Sequence, residues 1–138
     1  MTPLEVALKE YGNEAWPGNA TNPQVEKYFD EIGFAFVNDD ETPWCAAFMN
    51  WVLKKCKKPM TGSLLARSFL KIGTPIFDPQ LGDLVIFWRV SFDGIFGHVG
   101  FYIRETTQMV YVLGGNQDSA VKIKPFPKSQ VLGYRRIV

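Results

Sequence analysis

The stretch that decides the fold is TPWCAAFMNWVLKK, residues 42–55. It is apolar at nearly every position before Lys54, which predicts a central helix that is packed on most of its sides. Thr42 followed by Pro43 pairs a capping residue with a proline suited to the first helical position, so we expect the helix to begin there. Cys45 then takes the third helical position, where free backbone N–H groups and the helix dipole favour the nucleophilic thiolate.

The same capping signal predicts two earlier helices. Thr2-Pro3 opens the first, and Glu5 completes a capping box with Thr2. Asn22-Pro23 opens the second, which we expect to run from residue 23 to about residue 32 and to stop at Gly33. A fourth helix, after the central one, is predicted from Leu64 to Ile72 because Ser63 precedes it and Gly73 follows it.

Strand patterns replace helical ones after Pro75. Apolar or alternating runs predict four strands, at residues 84–88, 97–103, 109–113 and 131–137. Helices followed by strands, without βαβ alternation, predict an α+β fold in which N-terminal helices pack on an antiparallel sheet. We expect residues 1–138 to form one domain.

The net charge and the composition of the chain limit the kinds of molecule that it is expected to bind. The chain has 15 basic and 14 acidic residues and a net charge of +1, so nothing favours binding to nucleic acid. The N-terminal MTPLEVALKEYG lacks the basic region and apolar run of a signal peptide, and no apolar stretch reaches membrane-spanning length. We therefore expect synthesis in the cytoplasm without a leader and no insertion into a membrane.

Three residues are candidates for nucleophilic chemistry. Cys45 and Cys56 would lie about 16 Å apart on one helix, too far for a disulfide, so both should be free thiols. His98, the only histidine, begins a predicted strand, and Asn116 follows the next strand, where it could orient the imidazole. Taken singly, each also fits an ordinary role: a core cysteine, a structural histidine and a turn asparagine.

Five blocks in this order resemble a known family: ETPWCAAFMNWVLKK, LARSFLKIGTP, LGDLVIFWR, GHVGFYI and YVLGGNQ. They are similar to small single-domain CHAP/NlpC-type peptidoglycan hydrolases of the papain-like superfamily, and more narrowly to those associated with phages and prophages. The resemblance covers the chain from about Glu41 to the C-terminal LGYRRIV.

The resemblance implies a mechanism. Cys45 would be the nucleophile, His98 the general base and Asn116 the orienting residue of a papain-like fold. Many CHAP domains have a glutamate two positions before the asparagine, whereas this chain has Gly114. The reaction would be hydrolysis of an amide in the peptidoglycan stem peptide, as an endopeptidase or an N-acetylmuramoyl-L-alanine amidase. Four aromatic side chains could line a substrate groove: Trp44, Trp88, Phe96 and Tyr102.

Other readings stay open. A catalytic zinc ion usually has three protein ligands, often histidines, and this chain has a single histidine. We therefore expect no catalytic zinc site and no cofactor. The protein could be a phage lysis enzyme that reaches the cell wall with the help of a holin or another delivery system. It could instead be an antibacterial amidase effector with an immunity protein, or a wall-binding module that has lost catalysis.

Overall fold

Helices form the first half of the chain and strands the second. The structure is a computed structural model that describes residues 1–17, 21–34 and 43–138. The helices are α1 (Pro3–Lys9), α2 (Pro23–Asp30) and α3 (Cys45–Lys55), followed by a 3-10 helix (Ala66–Lys71). The strands are β1 (Thr74–Ile76), β2 (Leu84–Trp88), β3 (Gly97–Glu105), β4 (Met109–Gln117), β5 (Ala120–Pro127) and β6 (Val131–Arg136). The predicted α+β arrangement is confirmed.

All six strands form one antiparallel sheet in the order β1-β6-β2-β3-β4-β5. β2 and β3 are central, and their register places Phe87 opposite His98. The register between β4 and β5 shifts between Gly114 and Gln117, which is a bulge at the end of β4. Bulges of this kind re-aim side chains beside functional sites.

The two faces of the sheet bury different sets of side chains. Because side chains alternate along a strand, Val99 and Phe101 of β3 face the helices and join the main core. Tyr102 of the same strand joins a second cluster on the other face. That second cluster also contains Val85, Phe87, Val110 and Val112.

The helix starts agree with the capping signals except at α3. Thr2 and Glu5 form both hydrogen bonds of the capping box, and the Asn22 side chain accepts from Gln24 N at 2.9 Å. The Thr42 cap lies outside the described residues. α3 begins at Cys45, which is therefore its first residue and not its third, and Pro43 precedes the helix.

Packing explains the later start of α3. Trp44, the N-cap, has φ −124° and ψ 15° and forms no side-chain cap. Its ring is fully buried and stacks on Tyr28 with centroids 5.8 Å apart. Burial of an indole contributes about 1.5–3 kcal/mol, more than the roughly 1 kcal/mol typical of an N-cap hydrogen bond.

Two strands were not predicted, and the fourth helix was predicted in the wrong form. Residues 64–72 contain only the six-residue 3-10 helix. β1 and β5 both contain proline, which argues against a strand, but both are edge strands, where a missing N–H donor is tolerated. The strands predicted at 97–103 and 109–113 extend to residues 105 and 117.

α3 lies unusually close to β4 at Gly115. A Cβ built on this glycine would lie 2.8 Å from Phe48 Cβ and 2.9 Å from Trp44 Cε3. Both atoms belong to the segment that begins α3, so the missing side chain sets how closely the Cys45 end of the helix can approach the sheet.

We expect Gly115→Ala to lower the free energy of unfolding by about 1–3 kcal/mol, because the new methyl group overpacks this contact. It should also change the alkylation rate of Cys45, since the helix start must move. Urea unfolding and mass-spectrometric alkylation rates measure the two effects. Gly33→Ala is the control: its Cβ meets no atom of the described residues within 4 Å, and the cost comes from its φ of +98°. An unchanged Cys45 rate in folded Gly115→Ala would contradict the expectation.

Candidate active site

Cys45 is a buried thiol at the start of α3, with 5% of its surface exposed. Its sulfur accepts a hydrogen bond from the backbone N–H of Val99, and the N–H groups of Cys45 and Ala46 also favour the thiolate. Burial outweighs these contacts and the positive charge of Arg89, so the pKa of the thiol is raised above its usual value. The resting cysteine is therefore neutral, contrary to the thiolate that the helix terminus alone favours.

His98 is a buried imidazole at the start of β3. Its ring stacks on Phe126 with centroids 4.8 Å apart and lies 6.3 Å from the ring of Phe87. Burial lowers its pKa from 6.5 to about 4, although the hydrogen bond that His98 donates to Gln117 acts in the opposite direction. The imidazole is consequently neutral near pH 7.

Gln117 fixes which ring nitrogen of His98 carries the proton. Its Nε2 donates to the carbonyl oxygens of Val112, at 2.9 Å, and Lys122, at 2.6 Å. Both amide hydrogens are thus used, and Oε1 faces His98 Nε2 at 2.9 Å as an acceptor. Nε2 must therefore be the N–H of the ring. The other nitrogen, Nδ1, keeps its lone pair and is buried without a hydrogen-bond partner in the described part of the chain.

The contact predicted for Asn116 is made by Gln117 instead. Continuing the register of Phe101 opposite Leu113 along β3 would place Asn116 opposite His98. The bulge that ends β4 interrupts this register, and Asn116 adopts a φ of 56°. The glutamine after it then reaches the imidazole, through Nε2 and not through Nδ1. The glycine pair before Asn116 was the sequence signal for this irregularity.

The side chains of Cys45 and His98 pack in different clusters, although Cys45 reaches the backbone of β3 next to His98. Cys45 belongs to the main core, and its sulfur lies on the backbone of Val99, the residue after His98. The imidazole packs against Phe87 of the second cluster and against Phe126, which borders it. Neither ring nitrogen hydrogen-bonds the sulfur, so proton transfer requires the ring or the thiol to move.

The four predicted substrate-binding aromatics divide into two groups. Trp44 is fully buried and Tyr102 is 8% exposed, with its hydroxyl donating to Glu105 Oε1 at 2.8 Å. Core packing uses both rings, so neither is open to a groove in this structure. Phe96 is 57% exposed and Trp88 is partly exposed at the end of β2, so both remain accessible.

A groove of about 470 Å³ adjoins the Cys45 and His98 segments. Pro43 lines it two residues before Cys45, and Gly97 lines it immediately before His98. The remaining lining residues are Arg89, Val90, Phe96 and Gln130. Within the described part of the chain, no three His, Cys, Asp or Glu side chains are grouped so that they could hold a metal ion.

Both cysteines are free thiols, as predicted. Cys56 is partly exposed and caps the C-terminal end of α3. No helix in the described ranges is long and apolar enough to cross a membrane.

The architecture resembles that of a solved protein from Staphylococcus aureus subsp. aureus Mu50, described as similar to a lipoprotein of the NLP/P60 family. The two are 18% identical, with a TM-score of 0.55. The likeness is one of fold. The match covers 99% of this chain and 40% of the staphylococcal protein, so the chain spans less than half of that protein's length. No protein-family model and no curated protein sequence matches this chain.

His98 should titrate near pH 4, and its neutral ring should carry the proton on Nε2. Because it is the only histidine, NMR of the folded protein follows one imidazole and its two ring nitrogens without assignment by mutation. Since the pKa is lower in the folded than in the unfolded chain, His98 should also destabilise the fold as pH falls from about 6.5 towards 4. A midpoint near 6.5, or a proton on Nδ1, would disprove the arrangement.

Proposed function

We propose that this chain is a cysteine-dependent amide hydrolase that acts on the peptides of peptidoglycan. The observation that carries the proposal is a thiol at the start of a buried helix, against the backbone of Val99. The residue before Val99 is a histidine whose Nδ1 has no hydrogen-bond partner among the described residues and is a proton acceptor. The NLP/P60-type fold supports it. Nucleophilic catalysis by cysteine needs such a base, which must itself be oriented by a third group, and Gln117 is placed to do so.

The first half of the reaction forms an acyl-enzyme. The imidazole closes on the thiol when substrate binds, as catalytic hydrogen bonds often tighten only in the complex. Nδ1 then removes the proton of Cys45, and the thiolate attacks the amide carbonyl. Collapse of the tetrahedral intermediate breaks the C–N bond, and the imidazolium of His98 gives its proton to the leaving amine.

The second half releases the acid. His98 takes a proton from water, the resulting hydroxide attacks the thioester, and the sulfur leaves with its proton restored. Free N–H groups at the start of α3 are available to the oxyanion of both tetrahedral intermediates, because the first N–H groups of a helix have no partner within it.

More narrowly, we propose the stem peptide as substrate, cleaved by an endopeptidase or N-acetylmuramoyl-L-alanine amidase of the phage or prophage lysis type. Release from the cytoplasm would then depend on a holin or another delivery system. An effector with an immunity protein would use the same chemistry. The second candidate function is a catalytically silent wall-binding module, which the separation of the Cys45 sulfur from the His98 ring favours.

Purified protein should release new amino groups from peptidoglycan without added metal. Cys45→Ala should abolish this release, and Cys56→Ser should keep most of it, because Cys56 lies at the opposite end of α3. Amino-group release and mass spectrometry of the fragments measure the rate and identify the cleaved amide. Binding of the wild type to the wall without any release would favour the silent module, and loss of activity with EDTA would contradict a metal-free mechanism.

Gln117 should matter more than Asn116. We expect Gln117→Leu to lower kcat by about 10- to 100-fold, the cost of removing an orienting residue, and Asn116→Ala to lower it less. His98→Ala should remove essentially all turnover. Circular dichroism checks folding, and the ¹⁵N shifts of His98 report the ring tautomer, which only Gln117→Leu should disturb. Equal effects of the Gln117 and Asn116 substitutions on kcat would refute the assignment.

A further inference from the structure

The loop between β2 and β3, residues 89–96, is held in place by one arginine. Arg67 donates from Nε to Phe96 O at 2.8 Å, from Nη1 to Phe92 O at 2.8 Å and from Nη2 to Ser91 O at 2.7 Å. A guanidinium is a planar and rigid set of donors, so three carbonyl contacts fix the backbone of the whole loop. This contact network is called the Arg67 clamp below.

The clamped loop begins with a strained turn. Val90 has a φ of 70°, and Ser91 N donates to Arg89 O at 2.8 Å across it, which defines a γ-turn with a positive central φ. A β-branched residue in this region is disfavoured by about 1–3 kcal/mol and persists only where its surroundings enforce it. The Arg67 clamp supplies that enforcement. Arg89 therefore leaves β2 at a fixed position beside the groove.

Among the residues that the structure describes, Arg89 differs from the other arginines in having no partner. All five lie in the described range 43–138. Arg67 binds carbonyl oxygens, Arg135 donates to Leu70 O, Arg136 pairs with Asp83 and Arg104 lies over the Tyr111 ring. Among the described residues, Arg89 forms neither an ion pair nor a side-chain hydrogen bond.

Among the described residues that line the groove, Arg89 is the one that carries a charge. Pro43, Val90 and Phe96 give it apolar walls, and Gln130 and Gly97 complete the lining. The positive charge reaches the reacting groups, since it lowers the pKa of both Cys45 and His98. A lone guanidinium between apolar walls is suited to a carboxylate, which it can bind through two parallel hydrogen bonds.

We propose that Arg89 binds a substrate carboxylate, so that the site selects amides lying next to a free carboxylate group. This assignment rests on the proposed hydrolase function and narrows its substrate class to acidic peptides. Arg89 would then be a specificity-determining residue. The Arg67 clamp and the turn at Val90 would hold it in place before substrate arrives.

The first experiment uses two alkylating reagents of similar size. Iodoacetate carries a carboxylate and iodoacetamide its neutral amide, and both form a thioether at the sulfur with release of iodide and a proton. In a Cys56→Ser background, we expect Arg89→Met to lower the iodoacetate-to-iodoacetamide rate ratio at Cys45 by about 10-fold or more. Arg104→Met, which removes an exposed arginine from the far end of β3, should keep the wild-type ratio.

The second experiment uses a pair of peptides that are cleaved at the same amide and differ only in a neighbouring carboxylate or carboxamide. We expect the wild type to prefer the carboxylate by about 10- to 100-fold in kcat/KM. Arg89→Met should remove that preference while retaining turnover of the carboxamide, and Arg89→Lys should restore part of it.

The outcomes separate the two proposals. A charge-dependent alkylation ratio without cleavage of any peptide or of peptidoglycan supports the carboxylate site and refutes the hydrolase. Peptidoglycan cleavage with unchanged ratios in Arg89→Met overturns the carboxylate site alone. Equal slowing of both reagents would mean that Arg89 acts on the thiol itself, and failure of both to reach Cys45 would mean that the groove does not lead to it. Either result overturns the assignment.

Discussion

The close approach of α3 to β4 is the constraint on which the candidate site depends. A helix can lie against a sheet at this distance only where one surface lacks side chains, and Gly115 provides that gap beneath Phe48 and Trp44. The contact brings the first residue of α3 to the backbone of β3. Cys45 can therefore take a hydrogen bond from Val99, which positions the thiol one residue from the only imidazole in the chain.

Burial controls the protonation of Cys45 and His98. Both Cys45 and His98 are nearly inaccessible, and removal from water favours the neutral form of each. Cys45 and His98 are thus a neutral thiol and a neutral imidazole, and not a thiolate–imidazolium ion pair. In the proposed hydrolase, the charge separation that nucleophilic attack needs would come with the substrate, because its polar groups and closure of the site would replace the missing solvent.

Much of this organisation could be predicted from the sequence, and the failures have local causes. Periodicity gave the α+β arrangement and the positions of β2, β3 and the core of α3, because burial on one face leaves a regular pattern. The start of α3 was misplaced because packing of Trp44 overrode a capping signal. Gln117 makes the contact that was assigned to Asn116, because a bulge shifts the side chains of β4 by one position. A bulge leaves no trace in the hydrophobic periodicity of the sequence, so it could not be predicted from that pattern.

The Arg67 clamp has a consequence for how this protein can vary. Every contact of the clamp is made to a main-chain oxygen, so it holds the shape of the loop without reference to its side chains. The side chains of Phe92 and Val90 are largely exposed to solvent and do not hold the backbone of the loop in place. The loop can therefore exchange these residues during divergence, or in engineering, while its backbone stays constant. Within these eight residues, the contacts that hold the backbone are separate from the exposed side chains. The side chains at the surface of the loop can therefore be replaced while the backbone keeps its conformation.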